Sequence, residues 1–234
     1  MCTRFVYHGS DIITGFNFDI DLSVWTHKVM KEKECFYIGI LRPDGTYHSY
    51  HGVNQNGNAG TLLYVHGNSA GAYQDGDNCM TIAALTEQFI RAQISFDEVL
   101  QIVKSKKIVY VSDATMQAIL SDVHGRTLVI EPGIGYREEQ SKYSLITNYS
   151  LIRPESTRDF IVPGDDRYER ALQLLDNCKN EFSISDAFTL LHTVRQEGAW
   201  ATRVSFVYSV NERTVYYTEN NHFEHIKKFT FSFE

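Results

Sequence analysis

The chain has 234 residues, of which 43% are hydrophobic and 22% are charged. This composition is typical of a folded globular protein and argues against a largely disordered one. A net charge of −7 argues against a nucleic-acid-binding surface that is basic throughout. No stretch approaches the roughly 18–20 apolar residues of a membrane-spanning helix, and the N-terminus lacks the apolar segment of a signal peptide.

Cysteine and histidine spacing gives no sign of a metal site. The four cysteines form no Cys-x-x-Cys pair, so neither a structural zinc site nor a disulfide framework is indicated. Two His-x-x-His pairs lack the glutamate and the third ligand that zinc hydrolases require. We therefore expect no metal and no other cofactor, one domain over residues 1–234, and a reducing compartment, with the cytoplasm as the simplest case.

The first half of the chain is predicted to be mainly β-structure. Four segments are rich in β-branched and aromatic residues, and Pro43, Asp44 and Gly45 indicate a hairpin turn after the third. The mixed charges of residues 27–33 favour a solvated loop. The predicted strands cover residues 4–8, 12–18, 35–41 and 60–66.

Two pairs of helices are predicted, each pair followed by strands. Ser95 and Glu98 have the spacing of a capping box at the second helix, and Ser185 is the expected N-cap of the fourth. The predicted helices cover 78–92, 95–104, 167–178 and 185–195. The predicted strands cover 114–123, 127–131, 143–147, 203–210, 215–218 and 226–231. Hairpin blocks separated by helix pairs favour an α+β fold over a regular βαβ alternation.

Cys2 directly follows Met1, and its small side chain should permit removal of the methionine. The new terminus would carry a thiol and a free α-amine on one residue. Their reference pKa values are about 8.5 and 7.7–8.0, so this residue can supply both a nucleophile and a base that titrates near neutral pH.

Several motifs occur in one order along the chain. Cys2 and Thr3 are followed by Gly-Phe-Asn-Phe-Asp at 15–19, then by Thr147 and Asn148, and then by Arg167 at the start of a predicted helix. This ordered set resembles the choloylglycine hydrolase and penicillin V acylase family of N-terminal-nucleophile hydrolases. The resemblance implies an α+β fold, a four-layer αββα sandwich of two mainly antiparallel sheets.

The resemblance also implies a role for each motif residue. Cys2 would be the nucleophile, with its own amine as general base, and Asp19 would hold that amine in position. The Asn148 side-chain amide and the Tyr64 backbone N–H would donate to the developing oxyanion. Arg167 would add positive charge near the thiolate.

One position departs from the family pattern. Family members usually have arginine where this chain has Phe16, and a cation beside a thiol lowers its pKa. We therefore expect Cys2 to be less acidic than its counterparts, unless Arg4 or Arg203 takes the place of that arginine. The predicted apolar acyl pocket is lined by Phe16, Phe18, Trp25 and Tyr73.

The implied activity is hydrolysis of a linear, non-peptide C–N amide bond in a small acyl amide. Tyr64 favours penicillin V acylase or N-acyl-amide chemistry over bile-salt hydrolysis. The first residue would be lost autocatalytically or to an aminopeptidase, and the resemblance implies a dimer or tetramer that binds neither nucleic acid nor membrane. Two alternatives stay open: a catalytically silent binding relative, favoured by Phe16, and an α/β-hydrolase that uses Ser69 in the G-x-S-x-G motif at 67–71.

Overall fold

The computed structural model describes residues 1–139, 141–178 and 181–232. Four α-helices lie among these residues: α1 (Ile82–Ile90), α2 (Phe96–Ser105), α3 (Arg167–Asn177) and α4 (Ile184–Thr193). The strands are β1 (Thr3–His8), β2 (Ile12–Asp19), β3 (His27–Lys31), β4 (Cys35–Leu41), β5 (Tyr47–Asn54), β6 (Ala59–Tyr64), β7 (Cys79–Thr81), β8 (Lys107–Val109), β9 (Met116–Ser121), β10 (Thr127–Glu131), β11 (Gly135–Glu139), β12 (Tyr143–Ile146), β13 (Thr202–Ser209), β14 (Thr214–Glu219) and β15 (Lys227–Thr230).

Most of the strands form two large antiparallel sheets. Sheet I has the order β12-β1-β2-β13-β14-β15, and sheet II has the order β11-β10-β9-β6-β5-β4-β3. The short strands β7 and β8 pair in parallel beside them. β1 and β2 form a hairpin near the centre of sheet I, and their register places Asn17 opposite Thr3.

The two sheets pack face to face between layers of helices. Phe36 of sheet II touches Phe206 of sheet I, with ring centroids 6.0 Å apart, and both belong to the main hydrophobic core. α1 packs on the outer face of sheet II, and α3 and α4 pack on the outer face of sheet I. This arrangement confirms the predicted α+β class and the four-layer sandwich.

The side chains of β1 alternate between two packing layers, the one beneath the helices and the one between the sheets. Phe5 and Tyr7 point toward α3 and α4, whereas Val6 points into the space between the sheets. Successive side chains of a strand face opposite sides, so Cys2, two residues before Arg4 and four before Val6, also faces the space between the sheets.

The structure corrects several predicted elements. Residues 27–31 of the predicted loop are the edge strand β3, and the predicted helix 78–92 is shortened because Cys79–Thr81 is a strand, with Thr81 as the N-cap of α1. α4 begins one residue after Ser183, which forms a capping box with Asp186, so Ser185 is not the N-cap. β5 and β11 were not predicted. Among the described residues, no helix is long and apolar enough to cross a membrane.

Candidate active site

Cys2 lies at the open end of the sandwich, immediately before β1. Its side chain is buried, and Sγ is 3.9 Å from the backbone oxygen of Asp19. The backbone N–H of Cys2 donates to Oδ1 of Asn148 at 2.7 Å. The terminal ammonium of Met1 donates to the same Asp19 carbonyl at 3.0 Å.

Asp19 ends β2 and is also buried. Its Oδ1 accepts a hydrogen bond from Thr202 at 2.6 Å, and its Oδ2 is 3.6 Å from Nη1 of Arg167. This Oδ2 accepts no hydrogen bond within the described part of the chain. Burial raises the Asp19 pKa to about 7, although the terminal ammonium, Thr202 and Arg167 act in the opposite direction.

Asn148 follows β12 and connects the two sheets. Its Oδ1 faces the Cys2 N–H, and its Nδ2 donates to the backbone oxygen of Tyr64 at 2.7 Å. The Nε2 of Gln117, on β9, donates to the carbonyls of Thr147 and Tyr149 at 2.8 and 3.2 Å. Gln117 thus holds the backbone on both sides of Asn148.

Arg167, the first residue of α3, is almost completely buried. Its Nη1 donates to the carbonyl of Cys2 at 3.0 Å, and its Nη2 donates to Oδ1 of Asn148 at 3.2 Å. Nε and Nη2 each donate to Asp165 at 2.7 Å. Burial acts to lower the Arg167 pKa, but Asp165 and Asp19 outweigh it, so the pKa of the guanidinium is raised and the group stays charged.

Tyr64 contributes its backbone rather than its ring. Tyr64 as a residue is 54% exposed, while its carbonyl accepts from Asn148. The register pairs Tyr64 with Met116, and the N–H of the next residue, Val65, donates to Thr115. Because hydrogen-bonded pairs alternate along an antiparallel ladder, the Tyr64 N–H points away from β9, on the side where Asn148 lies.

The Cys2 thiol is weakly acidic in this structure. Burial raises its pKa to about 11, the charge of Asp19 adds to the increase, and the terminal ammonium and Arg167 partly oppose it. Burial is the largest cause of this rise, and the expectation drawn from Phe16 stays a prediction. Arg4 does not replace the family arginine, since it bonds to Thr14 and Ser121 between the sheets, and Arg203 donates to the Ile20 carbonyl.

The predicted pocket residues are divided among three places. Phe18 and Trp25 line an apolar cavity of about 120 Å³ that also contains Cys2. Trp25 and Tyr73 line a neighbouring groove of about 780 Å³. Phe16 lines neither; it is fully buried in the core and stacks on His51, with centroids 5.1 Å apart. The cavity and the groove share the side chains of Trp25, Tyr64 and Trp200.

The G-x-S-x-G segment does not form a nucleophile elbow. Ser69 begins a three-residue 3-10 helix that ends at Gly71, and the following residues are irregular up to β7. Asn68 caps this turn and donates to Tyr110. An α/β-hydrolase would require an α-helix directly after Ser69 and a large parallel sheet. Here irregular residues follow the short turn of Ser69, and the sheet that contains the preceding strand β6 is antiparallel.

Residues 1–139, 141–178 and 181–232 contain no group of three or more His, Cys, Asp or Glu side chains that could hold a metal ion. The groups that meet at the candidate site are a thiol, two carboxylates, an amide and a guanidinium.

Sequence reasoning missed four residues that hold the site together: Thr202, Gln117, Asp165 and Tyr149. Asp165 stands two residues before Arg167 and Tyr149 directly follows Asn148, so both lay within or beside motifs already singled out. Thr202 and Gln117 are far away in sequence from the groups they contact, and no local pattern marks them.

Comparison with solved structures identifies proteins of similar fold. Neither a family model nor a curated protein matches the sequence. A variant of conjugated bile acid hydrolase from Clostridium perfringens aligns with a TM-score of 0.71 and 15% identity, over 98% of this chain and 92% of that one.

Two further structures give the same result. Penicillin V acylase from Agrobacterium tumefaciens has a TM-score of 0.65 and 17% identity, over 94% of this chain and 83% of that one. The Caenorhabditis elegans ortholog of N-acylethanolamine-hydrolyzing acid amidase has a TM-score of 0.60 and 15% identity, over 88% and 92%. The predicted resemblance is thus confirmed at the level of the fold.

Proposed function

We propose that the protein hydrolyses a linear, non-peptide C–N amide bond, with Cys2 as nucleophile after removal of Met1. The observation that carries the proposal is the convergence on Cys2: its nitrogen is 2.7 Å from Asn148 Oδ1, and its carbonyl is 3.0 Å from Arg167 Nη1. These contacts hold the nitrogen that becomes the α-amine beside the thiol that it would deprotonate.

In the first half of the reaction, the α-amine takes the proton of the Cys2 thiol as sulfur attacks the substrate carbonyl carbon. The carbonyl oxygen gains the negative charge. The Tyr64 N–H and the second N–H of Asn148 Nδ2 would donate to it, because a side-chain amide has two donors and Tyr64 O takes only one. Preorganised donors of this kind are each worth about 2.7–4 kcal/mol in comparable sites.

In the second half, the protonated α-amine transfers its proton to the leaving nitrogen, and the C–N bond breaks. The acyl group stays on sulfur as a thioester. Water then attacks that carbonyl, the α-amine accepts the proton of the water, and the C–S bond breaks to release the acid. The thiol is regenerated, so no cofactor is consumed.

The cavity around Cys2 supports an apolar acyl group. Phe18, Ile20, Ile40 and Leu62 are among its walls, and a mostly apolar lining suits a hydrocarbon or aromatic acyl chain. The names of the structures with this fold, a conjugated bile acid hydrolase, a penicillin V acylase and an N-acylethanolamine-hydrolyzing acid amidase, support an amide substrate. Tyr64 favours the latter two chemistries. The cytoplasmic location and the assembly into a dimer or tetramer stay predictions.

A second candidate is a binding protein that keeps the fold without the reaction. One observation favours it: Phe16 stands where the family has a cation, and a cation beside the thiol would lower the thiol pKa. In that case the cavity would hold an acyl amide without cleaving it.

The deciding experiment combines intact mass with a substrate panel. The purified chain is checked for loss of Met1 and then incubated with N-acyl amino acids, phenoxyacetyl amides and conjugated bile acids. We expect turnover of at least one class and an acyl adduct on Cys2 by mass spectrometry. C2A should abolish both, whereas the matched variant C79A should retain them. Retention of Met1, or turnover that survives C2A, would refute the proposal.

A further inference from the structure

Asp165 lies beside the candidate catalytic residues and forms hydrogen bonds with two separate segments of the site. Its side chain is only 4% exposed. Oδ1 accepts from Nε of Arg167 and Oδ2 accepts from Nη2, both at 2.7 Å. This paired contact is the strong, planar form of an arginine–carboxylate interaction.

The paired contact determines where the third nitrogen of Arg167 points. A guanidinium is planar and rigid, so fixing Nε and Nη2 on one carboxylate fixes the direction of Nη1. That nitrogen meets the Cys2 carbonyl at 3.0 Å and lies 3.6 Å from Oδ2 of Asp19. Rotation of the guanidinium away from Asp165 would break these contacts.

Asp165 is also joined to the segment that carries Asn148. The hydroxyl of Tyr149, the next residue, donates to Oδ2 of Asp165 at 2.8 Å and accepts from the N–H of Val162 at 3.1 Å. The carboxylate therefore connects the start of α3 with the end of β12. Arg167 and Asn148 in turn bond to each other through Nη2 and Oδ1.

We propose that Asp165 is the positioning residue of this site, orienting Arg167 directly and the Asn148 segment through Tyr149. The proposal builds on the proposed function, in which Arg167 and Asn148 act on Cys2. Asp165 itself need not touch the substrate. Its effect is to hold Arg167 and Asn148, which both bond to Cys2, in one relative arrangement.

The first test needs no substrate. It measures the alkylation rate of Cys2 by iodoacetamide at pH 8, read on the Cys2 peptide by mass spectrometry, in wild type, D165N and D166N. If Asp165 positions Arg167, the guanidinium of Arg167 moves away from Cys2 in D165N, and the thiolate loses a favourable charge. Alkylation should then slow by about threefold or more, which corresponds to a rise of half a unit in the thiol pKa.

The sign of the change distinguishes positioning from a simple charge effect. If Arg167 stays in place without Asp165, removing a nearby negative charge leaves the rate unchanged or increases it, and the proposal is overturned. D166N is the matched control: Asp166 is the next residue, pairs with Arg170 at 2.9 Å and has a side chain that is 62% exposed. Its alkylation rate should equal that of wild type.

Tyr149 supplies a milder variant in case D165N fails to fold. Y149F leaves both Arg167 contacts of Asp165 in place, so a purely local role predicts an unchanged NMR signal for the Arg167 Nε–H, assigned by its absence in R167K. We expect that signal to shift and the Cys2 alkylation rate to fall, by less than in D165N. An unchanged signal and rate would overturn the part played by Tyr149.

Kinetics with the most active amide of the panel complete the test. We expect D165N to lower kcat by about 10²-fold, as a misplacement of about 1 Å can do, and Y149F by about tenfold, with KM little changed. D166N should behave as wild type. If wild type cleaves no amide, the proposed function fails, while the alkylation and NMR measurements still decide the role of Asp165. If D165N instead raised KM by a similar factor and left kcat unchanged, a positioning role for Asp165 would be contradicted.

Discussion

Asp19 is held at a cost to the stability of the folded chain. Its carboxylate is buried and Oδ2 lacks a hydrogen bond among the described residues, while the guanidinium of Arg167 stays 3.6 Å away. A buried carboxylate without full compensation is disfavoured in its charged form. An energetic cost of this kind is common at functional sites, where a group is placed for chemistry rather than for stability.

The pH dependence of stability should report this cost. The Asp19 pKa rises from its ordinary value of 3.8 to about 7, so the unfolded chain loses the proton first. Protonation of Asp19 therefore stabilises the folded chain fully below about pH 4. This stabilisation is lost as the pH rises toward 7. D19N should be more stable than wild type at pH 8, by at most about 4 kcal/mol, and equal to it near pH 3.5.

Chemical denaturation of both chains at several pH values would measure the difference. D21N provides a control of opposite sign, because the backbone N–H of Ser23 lowers the Asp21 pKa. That variant should lose stability relative to wild type above about pH 4. A D19N difference that does not grow between pH 4 and 7 would contradict the burial argument.

The thiol of Cys2 gives a second prediction at this scale. With a pKa of about 11, only about 0.1% of the thiol is ionised at pH 8, and the thiolate is the reactive form. Met1 is part of the cavity wall around it. Alkylation of the chain that retains Met1 should rise about tenfold per pH unit between pH 7 and 10.

Removing Met1 should change this behaviour. The thiol would gain access to water, and the new α-amine could take its proton, so the rate at pH 7.5 should increase at least about tenfold. Half-buried Cys79 is an internal reference whose rate should not change. Equal Cys2 rates before and after trimming would show that Met1 does not control the thiol.

At the scale of elements, the start of α4 offers a matched pair of serines. Ser183 accepts the N–H of Asp186 at 3.1 Å, and the Asp186 carboxylate accepts the N–H of Ser183 at 2.9 Å. Ser185, two residues later, is exposed. S183A should lower the free energy of unfolding by about 1 kcal/mol, whereas S185A should change it by less than about 0.5 kcal/mol.

Urea denaturation at constant pH would measure both variants. Equal losses of unfolding free energy in the two variants, or a larger loss in S185A, would indicate that Ser185 is the N-cap, as the sequence pattern predicted. The sequence analysis placed the cap at Ser185, close to the apolar residues of the helix. The structure places it at Ser183, because Asp186 is the residue that completes the capping box.

The elements that the sequence predicted correctly are those with a strong local pattern. α2 has its capping box at Ser95, and the central strands β1, β2 and β4 are nearly continuous runs of buried residues. The edge strands β3 and β11 were missed because they are rich in Lys and Glu. Charged edge strands hinder pairing with other chains. The same charges interrupt the hydrophobic pattern from which a strand is predicted.

At the scale of the whole molecule, the site depends on both sheets. Cys2 and Asp19 come from sheet I and Tyr64 from sheet II, and Asn148 bonds to Cys2 and Tyr64 together. The ordered motifs predicted which residues meet. They could not predict Gln117 or Thr202, because those contacts arise from packing of distant segments. They also could not predict that Phe16 would be enclosed by His51 and Phe206 instead of reaching the cavity.

The position of the two tryptophans leads to a prediction for the whole chain. The sequence contains two, Trp25 and Trp200, and both line the cavity of Cys2 and the adjoining groove. All tryptophan emission of the molecule therefore arises at one end of the sandwich. A ligand that fills the cavity should displace water from the indoles and shift the emission to shorter wavelength.

Phenoxyacetate is a suitable probe, titrated into C2A so that binding is separated from reaction. W200F should lose most of the shift, because Trp200 is 45% exposed, while Trp25 is already covered in part by the guanidinium of Arg42, 5.3 Å from its ring. W25F should retain it. A titration that leaves the emission of both single-tryptophan chains unchanged would mean that phenoxyacetate does not enter the cavity, and the acyl specificity would have to be sought among longer or more polar chains.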